Sequence, residues 1–186
     1  LSLEPSKDII QKLISLFDAE KYEKLLMEAQ NFIENYPKSV TLRKFCGATL
    51  YRLGSFEKAL LAYQEIIEMS PNDCELHFNA GTILSMLERN EEAIHYFDKA
   101  IELCENYSEA YNNKGVILKK QGNFDAALTE LSAIPDESWK GRVAELRGDI
   151  SLRKGDSDAA YSAYSEAQQA ADASQTLQIK LDDLAK

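Results

Sequence analysis

Four glycines, Gly47, Gly81, Gly115 and Gly148, recur at separations of 34, 34 and 33 residues. Ala59, Ala93, Ala127 and Ala160 each follow one of them by 12, and Tyr63, Phe97, Leu131 and Tyr164 come four residues later still. Gly54, Gly122 and Gly155 each lie seven residues after a first glycine, and Pro37 and Pro71 are again 34 apart. A reaction centre ordinarily occurs once in a chain, whereas a stretch that returns at a fixed interval is an architectural unit. Within each unit the apolar residues are spaced three and four apart in two blocks, which predicts two short amphipathic helices, A and then B. Small residues at the eighth and twentieth positions let A and B approach where they cross. The second glycine ends helix A, because it tolerates a left-handed backbone. The proline stops helix B and opens the next unit. A single hairpin of this kind leaves an apolar face bare, so stability requires stacking on a neighbour.

This period, with small residues at positions 8 and 20, an aromatic near 24 and a proline near 32, resembles the tetratricopeptide repeat family. The resemblance implies an all-α, right-handed α-solenoid of about five units, at 6–39, 40–73, 74–107, 108–140 and 141–173. Leu177, Ile179, Leu181 and Leu184 predict a helix over 174–186 that caps the last unit. The first unit departs from the pattern, with Leu13 and Leu25 in place of the small residues. Bulky residues there suit a terminal repeat and suggest an apolar surface through which two copies form a homodimer.

The fourth unit is interrupted by Pro135, and residues 126–186 hold 12 alanines in 61 positions against 9 in the preceding 125. The sequence therefore divides into segments 1–125 and 126–186 within one continuous solenoid. The strings AELRGDI and LQIKLDDL in the second segment resemble the repeats of the bacterial ancillary SecYEG translocon subunit, a membrane-anchored periplasmic family. That family's N-terminal anchor has no counterpart in this sequence. Residues 40–125 look like generic repeats, so an engineered fusion of two repeat proteins near Gly115–Leu131 is one expectation; a natural divergent array is the other.

A net charge of −10, with 31 acidic against 21 basic residues, disfavours nucleic acid and anionic membranes as partners. The acidic excess is spread evenly, and no apolar run reaches the ~18–20 residues of a membrane helix. Three cysteines, Cys46, Cys74 and Cys104, are read as separate thiols. That reading favours a reducing, cytoplasmic compartment, while the C-terminal resemblance points to the periplasm. Phosphate-binding loops, HExxH and CxxC are all lacking, and the glycines are absorbed by packing. Cys74 and His77 share a helix face, but zinc needs more ligands than this pair supplies. The expectation is a non-enzyme with no cofactor and no metal.

The family resemblance places the partner-binding groove on helix A, at positions 2, 5, 6, 9, 12 and 13. Carried over, the second unit contributes Lys44, Phe45, Ala48, Tyr51 and Arg52, and the third Glu75, Phe78, Asn79, Thr82 and Met86. The fourth gives Asn112, Asn113, Val116, Lys119 and Lys120, and the fifth Glu145, Asp149 and Arg153. Asn79 and Asn113 repeat one position, where an amide can both donate to and accept from a peptide backbone. Lys44, Arg52, Lys119 and Lys120 add basic character suited to an acidic peptide. Position 9 is Ala48, Thr82 or Val116 rather than the asparagine of repeats that clamp chaperone tails, which disfavours that role. The expected function is a scaffold for a protein or peptide partner, with a structural fusion lacking a native ligand, and a translocon-associated periplasmic module, as alternatives.

Overall fold

The computed structural model describes residues 4–170 and 176–184. Among these residues every regular element is helical, and the first ten α-helices fall in consecutive packed pairs as the two-block pattern requires. Packing divides the chain into two units, Leu1–Leu103 and Cys104–Lys186. The compositional change near residue 125 lies inside the second.

The first unit holds three hairpins: α1 (Lys7–Asp18) with α2 (Tyr22–Asn35), α3 (Val40–Arg52) with α4 (Phe56–Met69), and α5 (Cys74–Met86) with α6 (Asn90–Leu103). Within it α2 packs on α3 and α4 on α5, so each B helix also supports the next A helix. Side-chain caps open the A helices: Ser6 accepts from the Ile9 amide, Ser39 from that of Leu42 and Asp73 from that of Glu75. Each satisfies an amide that the helix itself leaves without a partner.

The second unit contains α7 (Ser108–Lys120) with α8 (Phe124–Ser132), a 3-10 turn at Glu137–Trp139, α9 (Lys140–Arg153) with α10 (Ser157–Gln168), and α11 (Leu177–Leu184). α8 has 9 residues where α4 has 14, because Pro135 follows it closely. The Asp136 side chain then caps the 3-10 turn that restarts the helix. α11 packs on α10 and buries Leu177 and Leu181 against Ala144, Ala160, Tyr164 and Ala167. It provides the predicted capping helix, although 174–175 and 185–186 lie outside the described residues.

The glycines sit at the A–B crossings. A Cβ built on Gly47 would stand 3.0 Å from the Tyr63 ring, on Gly81 2.8 Å from Phe97 and on Gly115 3.2 Å from Leu131. On Gly148 it would fall inside Tyr164. Ala59, Ala93, Ala127 and Ala160 are all fully buried. The first hairpin solves the same problem with the sizes exchanged. Leu13 and Leu25 replace the small pair, and Ala29 takes the place of the aromatic; all three are fully buried. Leu13 and Leu25 therefore do not form the exposed apolar face that suggested a homodimer. They are core, and the bulk that the other hairpins carry on helix B is here carried by the glycine and alanine positions.

Every A helix ends in a left-handed residue: Gly54, Gly122 and Gly155 have φ of 70, 82 and 82°. The same position in the first and third hairpins is Glu20 (φ 55°) and Glu88 (φ 59°). These residues keep the turn, since the Arg89 amide still donates to the Leu84 carbonyl at 2.9 Å just as Ser55 does to Leu50. They do so against the strain of a Cβ in that region.

One cysteine expectation is corrected. Cys74 and Cys104 are disulfide-bonded, and Cys46 is a buried free thiol. Two of the three are thus not separate thiols, and the ground for preferring a reducing compartment disappears. The sequence could not show this, because spacing along the chain does not by itself say which thiols are oxidised.

Two outcomes follow. Glu88→Gly should raise stability by about 1 kcal/mol and Gly122→Ala lower it by a similar amount, read from urea unfolding; equal and opposite silence in both variants would contradict the left-handed assignment. Protein purified under oxidising conditions and denatured without reductant should titrate one thiol per chain. Reduction should then lower its stability by about 3 kcal/mol.

Candidate binding cleft

The seat of Tyr63 on Gly47 is where the fold begins to make a site. With no Cβ at 47 the Tyr63 ring lies against α3 and forms one wall of a cleft of about 400 Å³ in the first unit. Burial, reinforced by the nearby Glu75 carboxylate and Tyr51, pushes its phenol up to about 12, so the hydroxyl stays neutral. Phe17 from α1, Ala48, Tyr51 and Arg52 from α3, and Glu75, Phe78, Asn79, Thr82 and Ile83 from α5 complete the lining. Phe78 is braced by Phe97, 5.9 Å away between ring centroids, and Phe97 in turn rests on Gly81. Thr82 spends its hydroxyl on the Phe78 carbonyl at 3.0 Å, which leaves its methyl as a contact surface.

Arg52 stands at the cleft on a perch made by the first hairpin. Its Nε donates to the Tyr22 hydroxyl at 3.0 Å, and its guanidinium lies 5.6 Å from the Tyr22 ring and 6.0 Å from that of Phe17. The two rings meet edge to face at 5.6 Å. Cation–π attraction and the hydrogen bond orient the guanidinium without neutralising it.

The structure gathers Ala48, Tyr51, Arg52, Glu75, Phe78, Asn79 and Thr82 from the sequence-derived set into this one cleft. Lys44 and Phe45 do not line it. Lys44 donates to Asp73 at 2.8 Å and Glu75 at 3.1 Å. Burial opposes its charge, but those two bonds prevail and raise its pKa above the ordinary lysine value. Phe45 packs against the core cluster of Leu13, Leu16, Leu25, Ala29, Leu42 and Cys46. Phe17, Tyr63 and Ile83 were not anticipated. Phe17 had a signal, since it lies 34 residues before Tyr51 at a groove position of the first repeat. Tyr63, four residues after Ala59, carries only a packing signal in the sequence.

The corresponding surface of the second unit is filled by ions. Asp149 accepts from Lys119 at 2.8 Å, from Lys180 at 2.8 Å and from the Tyr164 hydroxyl at 2.9 Å. Lys180, carried in by α11, also reaches Glu145 at 2.7 Å. Burial pushes the Asp149 carboxyl up, yet the three donors outweigh it and hold its pKa below the usual carboxylate value. Burial and the Asp149 hydrogen bond both push the Tyr164 phenol up. Lys119 is thus committed, while Lys120 is exposed. Asn112 donates to the Asn113 Oδ1 at 3.2 Å, so the acceptor of that amide is already engaged.

His77, paired in the sequence with Cys74, is buried and bonded through Nε2 to the Pro71 carbonyl at 2.8 Å. No cluster of three or more metal-ligating side chains occurs among the described residues. Nor is any described helix long and apolar enough to cross a membrane.

Hairpins of this length, with a glycine on helix A seated against a bulky residue of helix B, define a helical-repeat protein. Tetratricopeptide repeat models match residues 74–107 and 96–129, and a tetratricopeptide repeat-like domain matches 115–186. The chain belongs to the tetratricopeptide repeat family. The matches run without a break through the compositional change near residue 125, and the idea of two joined parents finds no support in them. An ancillary SecYEG translocon subunit from Aggregatibacter actinomycetemcomitans is 37% identical over 65 residues, 34% of this chain and 32% of the relative. The chain thus matches about a third of that protein's length. Among solved structures, MamA from Desulfovibrio magneticus RS-1, from its residue 41 to the end, superposes with a TM-score of 0.79 at 13% identity, covering 88% of this chain and 93% of that one. YrrB, described as a TPR protein with an unusual peptide-binding site, gives 0.76 at 19%, covering 96% and 92%. These likenesses establish the fold, that of tetratricopeptide α-solenoids.

Asp149 supplies a pH prediction. A carboxyl whose folded pKa is depressed stabilises the protein above its unfolded value, near ~4, and that contribution is lost as pH falls through the folded value. The melting temperature should therefore fall more steeply below about pH 4 in the parent chain than in Asp149→Asn, followed by circular dichroism; parallel curves would show that Asp149 carries no such linkage.

Proposed function

We propose that this chain is a non-catalytic scaffold that binds a segment of a partner protein in the cleft of its first unit. The observation that carries the reading is the cleft's make-up: rings of Phe17, Tyr51, Tyr63 and Phe78 beside the amide of Asn79 and the guanidinium of Arg52. Apolar walls with a few placed polar groups are what ligand sites require. The cleft lies on the helix-A face where tetratricopeptide repeats receive peptides, and the side chains that line it are braced by the packing of the hairpins. Asn79 is half-buried and offers both a donor and an acceptor to an extended backbone. Asn113 belongs to the same reading only through its Nδ2 donor, since its oxygen is engaged by Asn112.

A second reading is favoured by the C-terminal match: a module that works beside a translocon, outside the cytoplasm. The 37% identity over 65 residues supports it, and the disulfide-bonded state of Cys74 and Cys104 suits an oxidising compartment. Site-specific crosslinking from Tyr161, an exposed residue of α10, to a membrane-embedded translocon would test it.

The scaffold reading is tested by selecting binders from a displayed peptide library and measuring them against variants. Phe78→Ala and Asn79→Ala should each weaken the selected peptides by about tenfold or more, with unchanged circular dichroism. Peptides that bind all three proteins alike would place the site elsewhere.

A further inference from the structure

We propose that the first-unit cleft selects a bulky apolar residue that carries a carboxylate immediately beside it, with Arg52 as the carboxylate receptor. This deepens the scaffold reading and rests on it.

Two charged residues line the cleft, Arg52 and Glu75. Glu75 shares a counter-ion with Asp73: the Lys44 ammonium stands 3.1 Å from Glu75 and 2.8 Å from Asp73. The partners of Arg52 are the Tyr22 hydroxyl and the Tyr22 and Phe17 rings, none of them acidic, and Arg52 is exposed. Arg52 is therefore the cation of the lining that has no acidic partner, and it is the group a ligand carboxylate would meet, within a chain whose net charge is −10. General repulsion from that net charge is screened over a Debye length of about 8 Å at physiological salt, whereas a guanidinium in direct contact with a carboxylate is not. Nε is the one donor tied to Tyr22, and a guanidinium has five N–H groups. The Nη donors remain to engage a carboxylate in the paired geometry that arginine favours.

The cleft volume, about 400 Å³, is at the lower end of the ~300–1,000 Å³ typical of ligand pockets. It takes one or two large side chains and not a folded element. Phe17 both walls the cleft and lies under the guanidinium, so the apolar contact and the charge contact are adjacent. That adjacency is the basis for requiring the two groups side by side in the ligand. The carboxylate has two sources, an Asp or Glu side chain within a segment or the α-carboxylate of a C-terminal apolar residue.

Fluorescence anisotropy with the full chain and four labelled peptides separates these cases. All share one Phe in a neutral background: one followed by Glu and amidated at its terminus, one ending in Phe with a free carboxylate, one amidated with no acid, and one with Lys replacing Glu. At least one acidic peptide should bind about tenfold tighter than the neutral one, the Lys peptide should bind more weakly still, and the winning acidic arm identifies the source. Arg52→Gln should abolish the difference between acidic and neutral peptides, and Arg52→Lys, which keeps charge but loses the fork, should restore part of it. A neutral or basic peptide that binds the parent chain as tightly as both acidic ones overturns the proposal. So does discrimination that survives in Arg52→Gln. If Phe78→Ala then removes binding that never depended on the carboxylate, the scaffold reading stands and this one falls. If none of the four binds while library-selected peptides do, this one again falls alone; if no peptide binds from either source, both fall.

Discussion

The whole molecule depends on one contact, repeated: the backbone of a glycine on helix A against the flank of a bulky side chain on helix B. Gly47 with Tyr63, Gly81 with Phe97, Gly115 with Leu131 and Gly148 with Tyr164 each leave no room for a Cβ at its ordinary distance. The close approach lets the bulky residue bury fully while the neighbouring alanine disappears into the same crossing. Close packing demands a summed volume, not a particular residue at a particular position. The first hairpin makes that plain, because Leu13 and Leu25 with Ala29 fill the crossing as completely as a glycine, an alanine and an aromatic do.

The same contact positions the candidate binding surface. Tyr63 can be both the knob against Gly47 and a wall of the cleft because a ring has two faces. Phe97 plays the first part only, and passes its position on to Phe78. In the second unit Tyr164 fills the crossing with its ring and sends its hydroxyl 2.9 Å to Asp149. Scaffold and site are thus not separate sets of residues. A substitution at Gly47 would disturb the cleft through Tyr63 without touching any ligand.

Much of this was legible in the sequence, and what was not has a common cause. Helical hairpins, fully buried alanines and the early end of α8 follow from local chemistry and period, so the residues announce them. Pairing between neighbouring repeats does not show in one repeat read alone. Lys44 with Asp73, Lys119 with Asp149 and Arg52 with Tyr22 are 29, 30 and 30 residues apart. Those separations fall about one helical turn short of the repeat length, the offset set by stacking. One repeat read alone shows Lys44 and Lys119 only as basic groove residues; the offset pairs both with acids and sets Tyr22 beneath Arg52. Glu20 and Glu88 escaped for another reason: the left-handed position was recognised by its glycines, and a turn whose hydrogen bonds are sound tolerates a side chain there at modest cost.

Whether a helix-A face is open or closed comes down to three positions of the repeat. Position 12 is Phe17 and Tyr51 where the cleft forms, and Lys119 where it does not. Position 9 is Ala48 and Thr82 in the cleft and Val116 and Asp149 in the second unit; position 5 is Lys44 and Phe78 in the second and third repeats, of which Phe78 lines the cleft, and Asn112 and Glu145 in the second unit. The backbones are equivalent hairpins, so the difference is chemical. Apolar walls cannot satisfy one another with hydrogen bonds and leave a space that a ligand can fill. Opposed charges close on each other, and Asp149 has drawn a lysine from α7 and another from α11 to do so. Such an ion cluster favours one arrangement and resists a visitor, since displacing it would strand a half-buried carboxylate. If the cleft is the binding site proposed above, what sets the first unit apart is the rings, rather than ion pairs, that its A helices turn toward one another.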